Sequence, residues 1–242
     1  MTERVAIVTG ASGGIGRAVA VRLAKAGMSV AVHYAGNRDR AKAVADEIVA
    51  AGGRALAVAA DVADEAQIAS LFDQVEAEFG GVDVVVNTAG IMLLSPLADL
   101  NLDDFDRMHR TNVRGTFVVS RQAARRVRKG GAIINFSTSV TKIAAPGYTA
   151  YAATKGAVDA MTLILAKEMR GHDVTVNAVA PGPIATALYF EGKSQEVIDR
   201  AKSASPLERL GEPADIAETV AFLAGPARWI NGQIIYPNGG VI

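Results

Sequence analysis

The residues best suited to chemistry are a tyrosine and a lysine four positions apart, Tyr151 and Lys155. In a helix this spacing places both side chains on one face. A phenol has an unperturbed pKa of about 10 and is a poor acid or base at neutral pH. A cation about 4 Å away stabilises the phenolate by on the order of 4 kcal/mol at an effective dielectric constant of about 20, roughly 3 pKa units. The pair therefore predicts acid–base catalysis, although such a pair alone is more often a surface feature.

A glycine-rich segment, residues 9–16 (TGASGGIG), directly follows the first apolar run and opens a helical pattern. Its glycines at positions 10, 14 and 16 permit a tight turn and let a pyrophosphate approach the N–H groups of a helix N-terminus. The spacing G-x3-G-x-G differs from the G-x-G-x-x-G of the standard dinucleotide fingerprint. We interpret the segment as a dinucleotide-binding loop, the alternative being a tightly packed turn without a ligand.

The residues after the second and third apolar runs indicate which dinucleotide binds. An NAD site usually places a carboxylate at the end of the second strand for the ribose 2′-hydroxyl, but here none precedes Asp39. A neutral turn with Asn37 and Arg38 accepts a 2′-phosphate through charge-assisted hydrogen bonds, so NADP(H) is favoured over NAD(H). The alternative for Arg38 is a solvated residue in the first turn of a helix. Asp61 is a candidate acceptor for an adenine amino group, or else caps the helix beginning near Asp64.

Short apolar runs alternate with longer segments of helical period. The runs, which predict strands buried on both faces of a parallel sheet, are residues 5–9, 30–34, 56–59, 82–87, 132–137, 174–179 and 233–236. The predicted helices are residues 14–26, 38–51, 65–79, 104–129, 150–170 and 213–224. This alternation predicts one α/β domain over residues 1–242, a Rossmann-type doubly wound parallel sheet of about seven strands with helices on both faces. Residues 180–206 have the weakest pattern and are interpreted as a substrate loop, or else an ordinary surface excursion.

The composition excludes several classes of function. The chain has 25 Lys plus Arg and 25 Asp plus Glu, so no long-range field attracts nucleic acid or a membrane surface. It has no cysteine, which excludes a disulfide framework, a thiolate metal site and a cysteine nucleophile. The histidines His33, His109 and His172 lie far apart, so no metal site is expected. The N-terminal residues do not resemble a signal peptide and no apolar stretch approaches about 18 residues, so a cytoplasmic location is expected.

Several motifs, in this order and spacing, closely resemble the short-chain dehydrogenase/reductase family over essentially the whole chain. They are the glycine loop, Asn-Thr-Ala-Gly at 87–90, Tyr151-x3-Lys155, Pro-Gly at 181–182, and Asn-Gly with Gly-Gly at 231–240. The resemblance implies an NAD(P)-dependent oxidoreductase that transfers a hydride between a nicotinamide and a carbonyl or secondary alcohol. The non-enzyme alternative is a catalytically silent dinucleotide-binding sensor, against which the intact Tyr151 and Lys155 speak.

The resemblance also implies roles for single residues. Tyr151 looks like the general acid that protonates the carbonyl oxygen, and Lys155 like the group that lowers its pKa and binds the nicotinamide ribose. Asn112 matches an asparagine that holds a water in a proton relay, and its amide fits a helix irregularity where it bonds a backbone group or water. The family's substrate-binding serine falls on Thr138 by ungapped counting and on Ser139 if the next loop is one residue shorter. The expected cofactor-binding residues, besides Tyr151 and Lys155, are Gly10, Ser12, Gly14, Ile15, Gly16, Tyr34, Ala35, Asn37, Arg38, Asp61, Val62, Asn87, Ala89, Gly90, Pro181, Gly182, Ile184 and Thr186.

The residues expected to face the substrate are uncharged, which suits a small hydrophobic ketone or aldehyde. They are Met92, Leu93, Tyr148, Leu188, Tyr189 and Phe190. Members of the family commonly form tetramers, and the apolar residues around Trp229 and Tyr236 are compatible with burial against another subunit. The resemblance therefore implies a homotetramer or homodimer.

A basic cluster lies at the end of the predicted helix 104–129, at Arg121, Arg125, Arg126, Arg128 and Lys129. The first interpretation is a solvated face that complements the dipole at the helix C-terminus. The alternative is a docking surface for an acidic acyl-carrier protein, which would make the chain a 3-oxoacyl-thioester reductase.

Overall fold

The predicted apolar runs form one parallel sheet in the computed structural model, which describes residues 3–242. The strands are β1 (Val5–Thr9), β2 (Ser29–Tyr34), β3 (Ala55–Ala59), β4 (Val82–Asn87), β5 (Val127–Phe136), β6 (Thr175–Val179) and β7 (Ile234–Ile235). They lie in the order β3-β2-β1-β4-β5-β6-β7, and every neighbouring pair is parallel. The predicted Rossmann-type sheet is therefore confirmed.

Helices cover both faces of this sheet. They are α1 (Gly14–Lys25), α2 (Arg38–Ala50), α3 (Glu65–Phe79), α4 (Leu102–Met108), α5 (Gly115–Arg126), α6 (Val140–Ile143), α7 (Thr149–Glu168), α8 (Ala187–Phe190), α9 (Gln195–Ala204) and α10 (Pro213–Ala224). Helices α1, α2 and α10 pack on one face, and α3, α5 and α7 on the other. In β1, Ala6 and Val8 face the first layer while Val5 and Ile7 face the second, as the two-residue period of a strand requires. Within residues 3–242 no helix has the length and apolar character needed to cross a membrane.

One predicted helix is wrong at its C-terminal end. The periodicity predicts a helix over residues 104–129, but α5 ends at Arg126 and β5 begins at Val127, which pairs with β4. The Arg128 guanidinium is bound by the Asp83 carboxylate of β4. This tertiary ion pair and the sheet pairing determine the local conformation, and helical periodicity reports neither of them.

The segment over residues 180–206 contains the short helices α8 and α9. The side chains of Thr186 and Ser194 cap them, each accepting a hydrogen bond from an N–H three residues further on, which satisfies a helix-end donor. Ile184 forms an isolated bridge with Gly211. The weak sequence pattern of this segment therefore reflects short capped elements.

The sheet order changes direction between β1 and β4, where Thr9 lies opposite Asn87. From β1 the chain continues to β2 and β3 on one side, and β4 to β7 lie on the other. Loops that follow two such strands diverge and leave a crevice at the carboxyl end of a parallel sheet. The glycine loop and the residues after β4 therefore meet at this edge.

Candidate active site

Helix α7 brings Tyr151 and Lys155 to the carboxyl end of β5. The two residues lie one turn apart near the helix N-terminus, and Lys155 is buried while Tyr151 is partly buried. The Lys155 ammonium donates a hydrogen bond to the Phe136 carbonyl oxygen at 2.8 Å. It lies 5.8 Å from the centre of the Tyr151 ring. The ammonium is thus anchored to the sheet, with the phenol beside it.

The pKa values of these two groups move in opposite directions. Burial raises the pKa of Tyr151 to about 12, and a hydrogen bond with Thr138 opposes this less strongly. Burial lowers the pKa of Lys155 to about 8, while the negative charge of Asp159 opposes the change. The pKa of Tyr151 is therefore raised and not lowered as predicted, because the loss of hydration disfavours the phenolate. At neutral pH the phenol is neutral and can donate a proton.

The two candidate hydroxyl groups after β5 differ in what they contact. The Thr138 hydroxyl lies near the Tyr151 phenol on the same cavity and acts against the effect of burial on the pKa of that phenol. The Ser139 hydroxyl donates to the Ala180 carbonyl oxygen at 2.9 Å and accepts from the Asn238 amide at 3.4 Å. Ser139 is therefore tied to the backbone beyond β6, and Thr138 is the hydroxyl next to the phenol.

Asn112 lies in a π-helical turn, His109–Arg114, between α4 and α5. Its buried amide accepts from the Ile91 N–H and donates to the Ile91 carbonyl oxygen, both at 2.9 Å. The same amide donates to the Thr154 hydroxyl at 3.1 Å, next to Lys155 in sequence. The helix irregularity and the backbone bonding both agree with prediction, since π-turns occur frequently at functional sites. A role in holding a water stays a prediction.

Asp159 is a residue that the sequence reasoning missed. It lies one turn beyond Lys155 on α7, where burial raises the pKa of its carboxyl and the Ser137 hydroxyl and Lys155 ammonium act in the opposite direction. The four-residue spacing from Tyr151 to Lys155 to Asp159 was the available signal, because it places all three on one helix face.

The glycine loop after β1 has the geometry of an anion-binding turn. Gly10 and Gly14 have φ values of 64° and 52°, in the left-handed region that glycine tolerates. A Cβ on Gly16 would lie 2.4 Å from the Gly10 carbonyl oxygen, so the loop packs directly on α1. Among the described residues, no side chain caps α1 at Gly13 and no acidic residue occupies its first turn. Its N-terminal N–H groups can therefore bind an anion, and the loop fits a pyrophosphate.

His33 fastens this loop to the sheet, a role that the sequence did not indicate. The ring Nδ1 accepts from the Gly10 N–H at 3.0 Å, and Nε2 lies 2.9 Å from the Ala60 carbonyl oxygen. A neutral ring with its proton on Nε2 satisfies both contacts. Burial lowers the pKa of His33, which favours that neutral form.

The turn after β2 carries no carboxylate, and Arg38 follows it at the start of α2. Asn37 caps α2, its side-chain oxygen accepting from the Arg40 N–H at 2.9 Å. Tyr34 is partly buried, and Ala35 and Arg38 are exposed. The turn can thus receive an anionic group without meeting a carboxylate from β2.

Asp61 follows β3 and is held by two partners. Its carboxylate accepts from the Ala63 N–H at 2.9 Å and lies 2.7 Å from the Arg110 guanidinium, whose hydrogen bond lowers the pKa of Asp61. The cap of α3 is Asp64, so the alternative that Asp61 caps this helix is wrong. Contact of Asp61 or the buried Val62 with an adenine stays a prediction.

The residues after β4 divide between the core and the crevice. The Asn87 side chain is buried and donates to the Asn135 amide oxygen at 2.8 Å, so a cofactor contact of Asn87 stays a prediction that its backbone would have to supply. This bond joins β4 to β5 inside the sheet. Ala89 and Gly90 lie at the crevice, where a Cβ on Gly10 would meet Ala89 at 2.9 Å and a Cβ on Gly90 would meet the Asn112 oxygen at 3.2 Å.

A cavity of about 410 Å³ connects these groups. The predicted site residues that line it are Ile15, Gly90, Met92, Thr138, Ser139, Tyr148, Tyr151, Lys155, Pro181, Gly182, Ile184, Thr186, Leu188 and Tyr189. No Asp or Glu among residues 3–242 belongs to its lining. The cavity is therefore mainly apolar, with the Thr138 and Tyr151 hydroxyls at its reactive end.

Two predicted substrate residues, Leu93 and Phe190, do not belong to the lining that the described residues form. The Leu93 N–H donates to the Met108 sulfur at 3.4 Å. Phe190 is 42% exposed and packs edge-on against Tyr189, with ring centres 5.8 Å apart. Successive helix positions point about 100° apart, so Tyr189 faces the cavity while Phe190 does not.

The basic cluster is largely neutralised by ion pairs, which corrects the interpretation as one solvated helix face. The paired members are Arg121 with Glu65, Arg126 with Asp73 and Glu76, and Arg128 with Asp83. Arg128 and Lys129 belong to β5 and not to a helix. Arg125 and Lys129 are exposed and have no ion-pair partner in the part of the chain that the structure describes.

Comparison with known proteins agrees with this architecture. A family profile described as Enoyl-(Acyl carrier protein) reductase matches residues 10–242. The chain is 43% identical over 257 residues to an NADPH-dependent aldehyde reductase-like protein, chloroplastic, of Arabidopsis thaliana, with 100% of this chain and 95% of that protein covered. It is 41% identical over 239 residues to the 3-oxoacyl-acyl-carrier-protein reductase FabG of Staphylococcus aureus, with coverages of 98% and 97%. A short chain dehydrogenase from Burkholderia cenocepacia J2315, solved in complex with NADP, has a TM-score of 0.93 at 38% identity, with coverages of 99% and 98%.

The fold and the site define a Rossmann-type oxidoreductase. The chain belongs to the short-chain dehydrogenase/reductase family. The similar proteins carry names for different reactions, so their names do not determine the substrate of this chain.

Replacing Gly16 by alanine should destabilise the glycine loop, because the new Cβ would collide with the Gly10 carbonyl oxygen. We expect the free energy of unfolding to fall by about 1–3 kcal/mol in chemical denaturation. Gly13→Ala is the matched control, since nothing lies within 4 Å of a Cβ there and its φ of −175° is extended backbone. Equal stability of the two variants would contradict this description of the loop.

Proposed function

We propose that the chain is an NADPH-dependent reductase of small, mainly apolar aldehydes and ketones. The observation that carries this proposal is the placement of Tyr151, Thr138 and Lys155 on one apolar cavity beside the glycine loop. The similar Arabidopsis protein, named as an NADPH-dependent aldehyde reductase-like protein, supports the same reaction class. The intact pair Tyr151 and Lys155 argues against a silent dinucleotide sensor.

The reaction consumes one carbonyl compound, one NADPH and one proton and forms the alcohol and NADP⁺. When bound, the reduced nicotinamide supplies a hydride to the carbonyl carbon. The Thr138 hydroxyl donates a hydrogen bond to the carbonyl oxygen, and the neutral Tyr151 phenol gives that oxygen its proton. Lys155 holds the ribose hydroxyls and stabilises the phenolate that remains. Asn112 holds a water in the path that returns a proton to Tyr151.

The remaining cofactor contacts follow from the same placement. The loop at Gly10, Ser12, Gly14, Ile15 and Gly16 binds the pyrophosphate at the start of α1. Asn37 and Arg38 receive the 2′-phosphate, which makes NADP(H) the preferred cofactor. The other expected contacts are Tyr34, Ala35, Asp61, Val62, Ala89, Gly90, Pro181, Gly182, Ile184 and Thr186.

The substitution Tyr151→Phe should lower kcat for aldehyde reduction with NADPH by roughly 10²–10⁴-fold, because the proton donor is lost. Tyr148→Phe is the control, since its ring lines the same cavity with a centre 6.4 Å from that of Tyr151. We expect that variant to change KM more than kcat. With a Tyr151 pKa of about 12, alcohol oxidation, which needs the phenolate, should accelerate as pH rises. Undiminished turnover by Tyr151→Phe would reject the acid role.

The substitution Asn37→Asp should shift the cofactor preference toward NADH. Aspartate keeps the cap on α2 but places a negative charge where the 2′-phosphate binds. We expect the ratio of kcat/KM for NADPH to that for NADH to fall by about 10-fold or more. Lys42→Ala is the control, because Lys42 is an exposed residue of α2 that forms an ion pair with Asp46. A wild-type preference for NADH would overturn the cofactor proposal itself.

A second candidate substrate class is a 3-oxoacyl thioester on an acyl-carrier protein. The similarity to the Staphylococcus aureus reductase favours it, and Arg125 and Lys129 supply exposed positive charges for an acidic carrier.

Reversing both charges, Arg125→Glu with Lys129→Glu, should raise KM for a carrier-bound substrate by about 10-fold while a free thioester is reduced as before. Arg126 is left unchanged, because its partners on α3 would lose their counter-charge. Lys25→Glu on α1, which packs on the opposite face of the sheet from α5, is the control. An unchanged KM for the carrier-bound substrate would reject this docking surface.

We also propose that the chain forms a homotetramer, or at least a homodimer. Apolar side chains that support an interface are exposed on α5 (Phe117), on α7 (Leu163 and Ile164) and at Trp229, which is fully exposed. Residues 180–206 act as the substrate loop in this proposal. A cytoplasmic location stays a prediction.

A further inference from the structure

Lys193 lies in the turn between α8 and α9, and its side chain lines the active-site cavity. Gly192, directly before it, has a φ of 71°, which reverses the chain. The Lys193 N–H donates to the Phe190 carbonyl oxygen at 3.1 Å, and Ser194 caps α9 directly after it. The turn is thus held at both sides, and its lysine is directed at the cavity.

The ammonium of Lys193 is buried and has no hydrogen-bond partner within residues 3–242. It lies 4.6 Å from the centre of the Tyr189 ring, so a cation–π contact compensates part of its lost hydration. Burial lowers the pKa of Lys193. A buried ammonium with all its donors unused favours an acceptor that enters the cavity.

Neighbouring cations on α9 already have counter-charges. Arg200, which also lines the cavity, pairs with Glu196 at 3.0 Å and is largely exposed. Lys202 pairs with Asp199 at 3.1 Å. Since the described lining includes no carboxylate, the charge of Lys193 is left for a ligand to balance.

A row of aromatic rings leads from the reactive end to this ammonium. The Tyr151 and Tyr148 rings are 6.4 Å apart, edge to face. Tyr148 and Tyr189 both line the cavity, and Tyr189 contacts Lys193. The wall between the reacting phenol and the ammonium is therefore apolar and aromatic.

We propose that Lys193 binds a carboxylate of the substrate, so that the preferred substrate is a carbonyl compound whose carboxylate is separated from its carbonyl group by an apolar or aromatic spacer. A single unpaired ammonium in an apolar wall suits a monoanion, whereas phosphate sites combine several donors and the neighbouring Arg200 is already paired with Glu196. This inference rests on the proposed function and changes the sequence-based expectation of an uncharged substrate.

The test compares 4-formylbenzoate with its uncharged methyl ester, both reduced with NADPH. In Lys193→Met, which keeps an unbranched side chain without charge, we expect KM for the carboxylate to rise about 10-fold relative to KM for the ester. Lys193→Arg should retain the preference because it keeps the positive charge. Lys202→Met is the control, since its charge is engaged by Asp199 outside the lining. An equal change of KM for both substrates in Lys193→Met would overturn the inference.

A binding measurement separates this inference from the proposed function. 4-Methylbenzoate cannot be reduced, and calorimetry should show that it binds the wild type and Lys193→Arg about 10-fold more tightly than Lys193→Met. If neither aldehyde is reduced but the binding difference is present, the proposed function is rejected and the role of Lys193 is retained. Equal binding to all three proteins would reject the role of Lys193, whatever the activity. Circular dichroism of each variant verifies that it is folded.

Discussion

The hydrogen bond from the Lys155 ammonium to the Phe136 carbonyl oxygen fixes the position of helix α7 against the end of β5. Phe136 lies two residues before Thr138, and Lys155 lies one turn after Tyr151. This single bond therefore places the phenol beside the threonine hydroxyl. Near this bond, the Asn112 amide donates to the Thr154 hydroxyl. Asp159 lies one turn after Lys155 on α7, and Tyr151 one turn before it. The cavity, the glycine loop and residues 180–206 are arranged about this fixed point.

Burial acts on the two ionisable partners in a way that favours reduction. It raises the pKa of the Tyr151 phenol, which therefore keeps its proton, and it lowers the pKa of Lys155. At neutral pH the phenol is thus a proton donor beside a cation that can stabilise the phenolate after transfer. A phenolate at rest would instead suit alcohol oxidation, since a base must then remove the hydroxyl proton. Elsewhere on the cavity, the Lys193 ammonium is also buried and has no hydrogen-bond acceptor within residues 3–242.

The sheet and the motif residues were predictable because strong local patterns encode them. Runs that are apolar almost throughout, such as residues 5–9, predict strands buried on both faces, and the glycine loop predicts its own tight turn. The features that the sequence did not predict depend on tertiary contacts. The end of α5 is determined by strand pairing and by the Arg128 ion pair with Asp83. The Asn87 side chain faces the core because an amide of the neighbouring strand accepts its hydrogen bond.

The sequence predicted which residues form the site better than it predicted their pKa values and hydrogen-bond partners. Spacing alone shows that Tyr151 and Lys155 share a helix face, but it does not show how much water burial removes from each. Thr138 and Ser139 are indistinguishable by counting, and only their partners separate them. Lys193 is one of many lysines in the sequence, and only its buried, unpartnered ammonium distinguishes it.

Titration of the tyrosine ring carbons can establish whether Tyr151 rests as a neutral phenol beside the sheet-anchored Lys155. NMR of protein labelled at tyrosine Cζ, with the signal assigned by its loss in Tyr151→Phe, follows the ionisation of this phenol. We expect the Tyr151 signal to stay that of the neutral phenol beyond the ordinary tyrosine pKa of about 10, in keeping with a pKa of about 12. A phenolate signal at neutral pH would contradict this expectation.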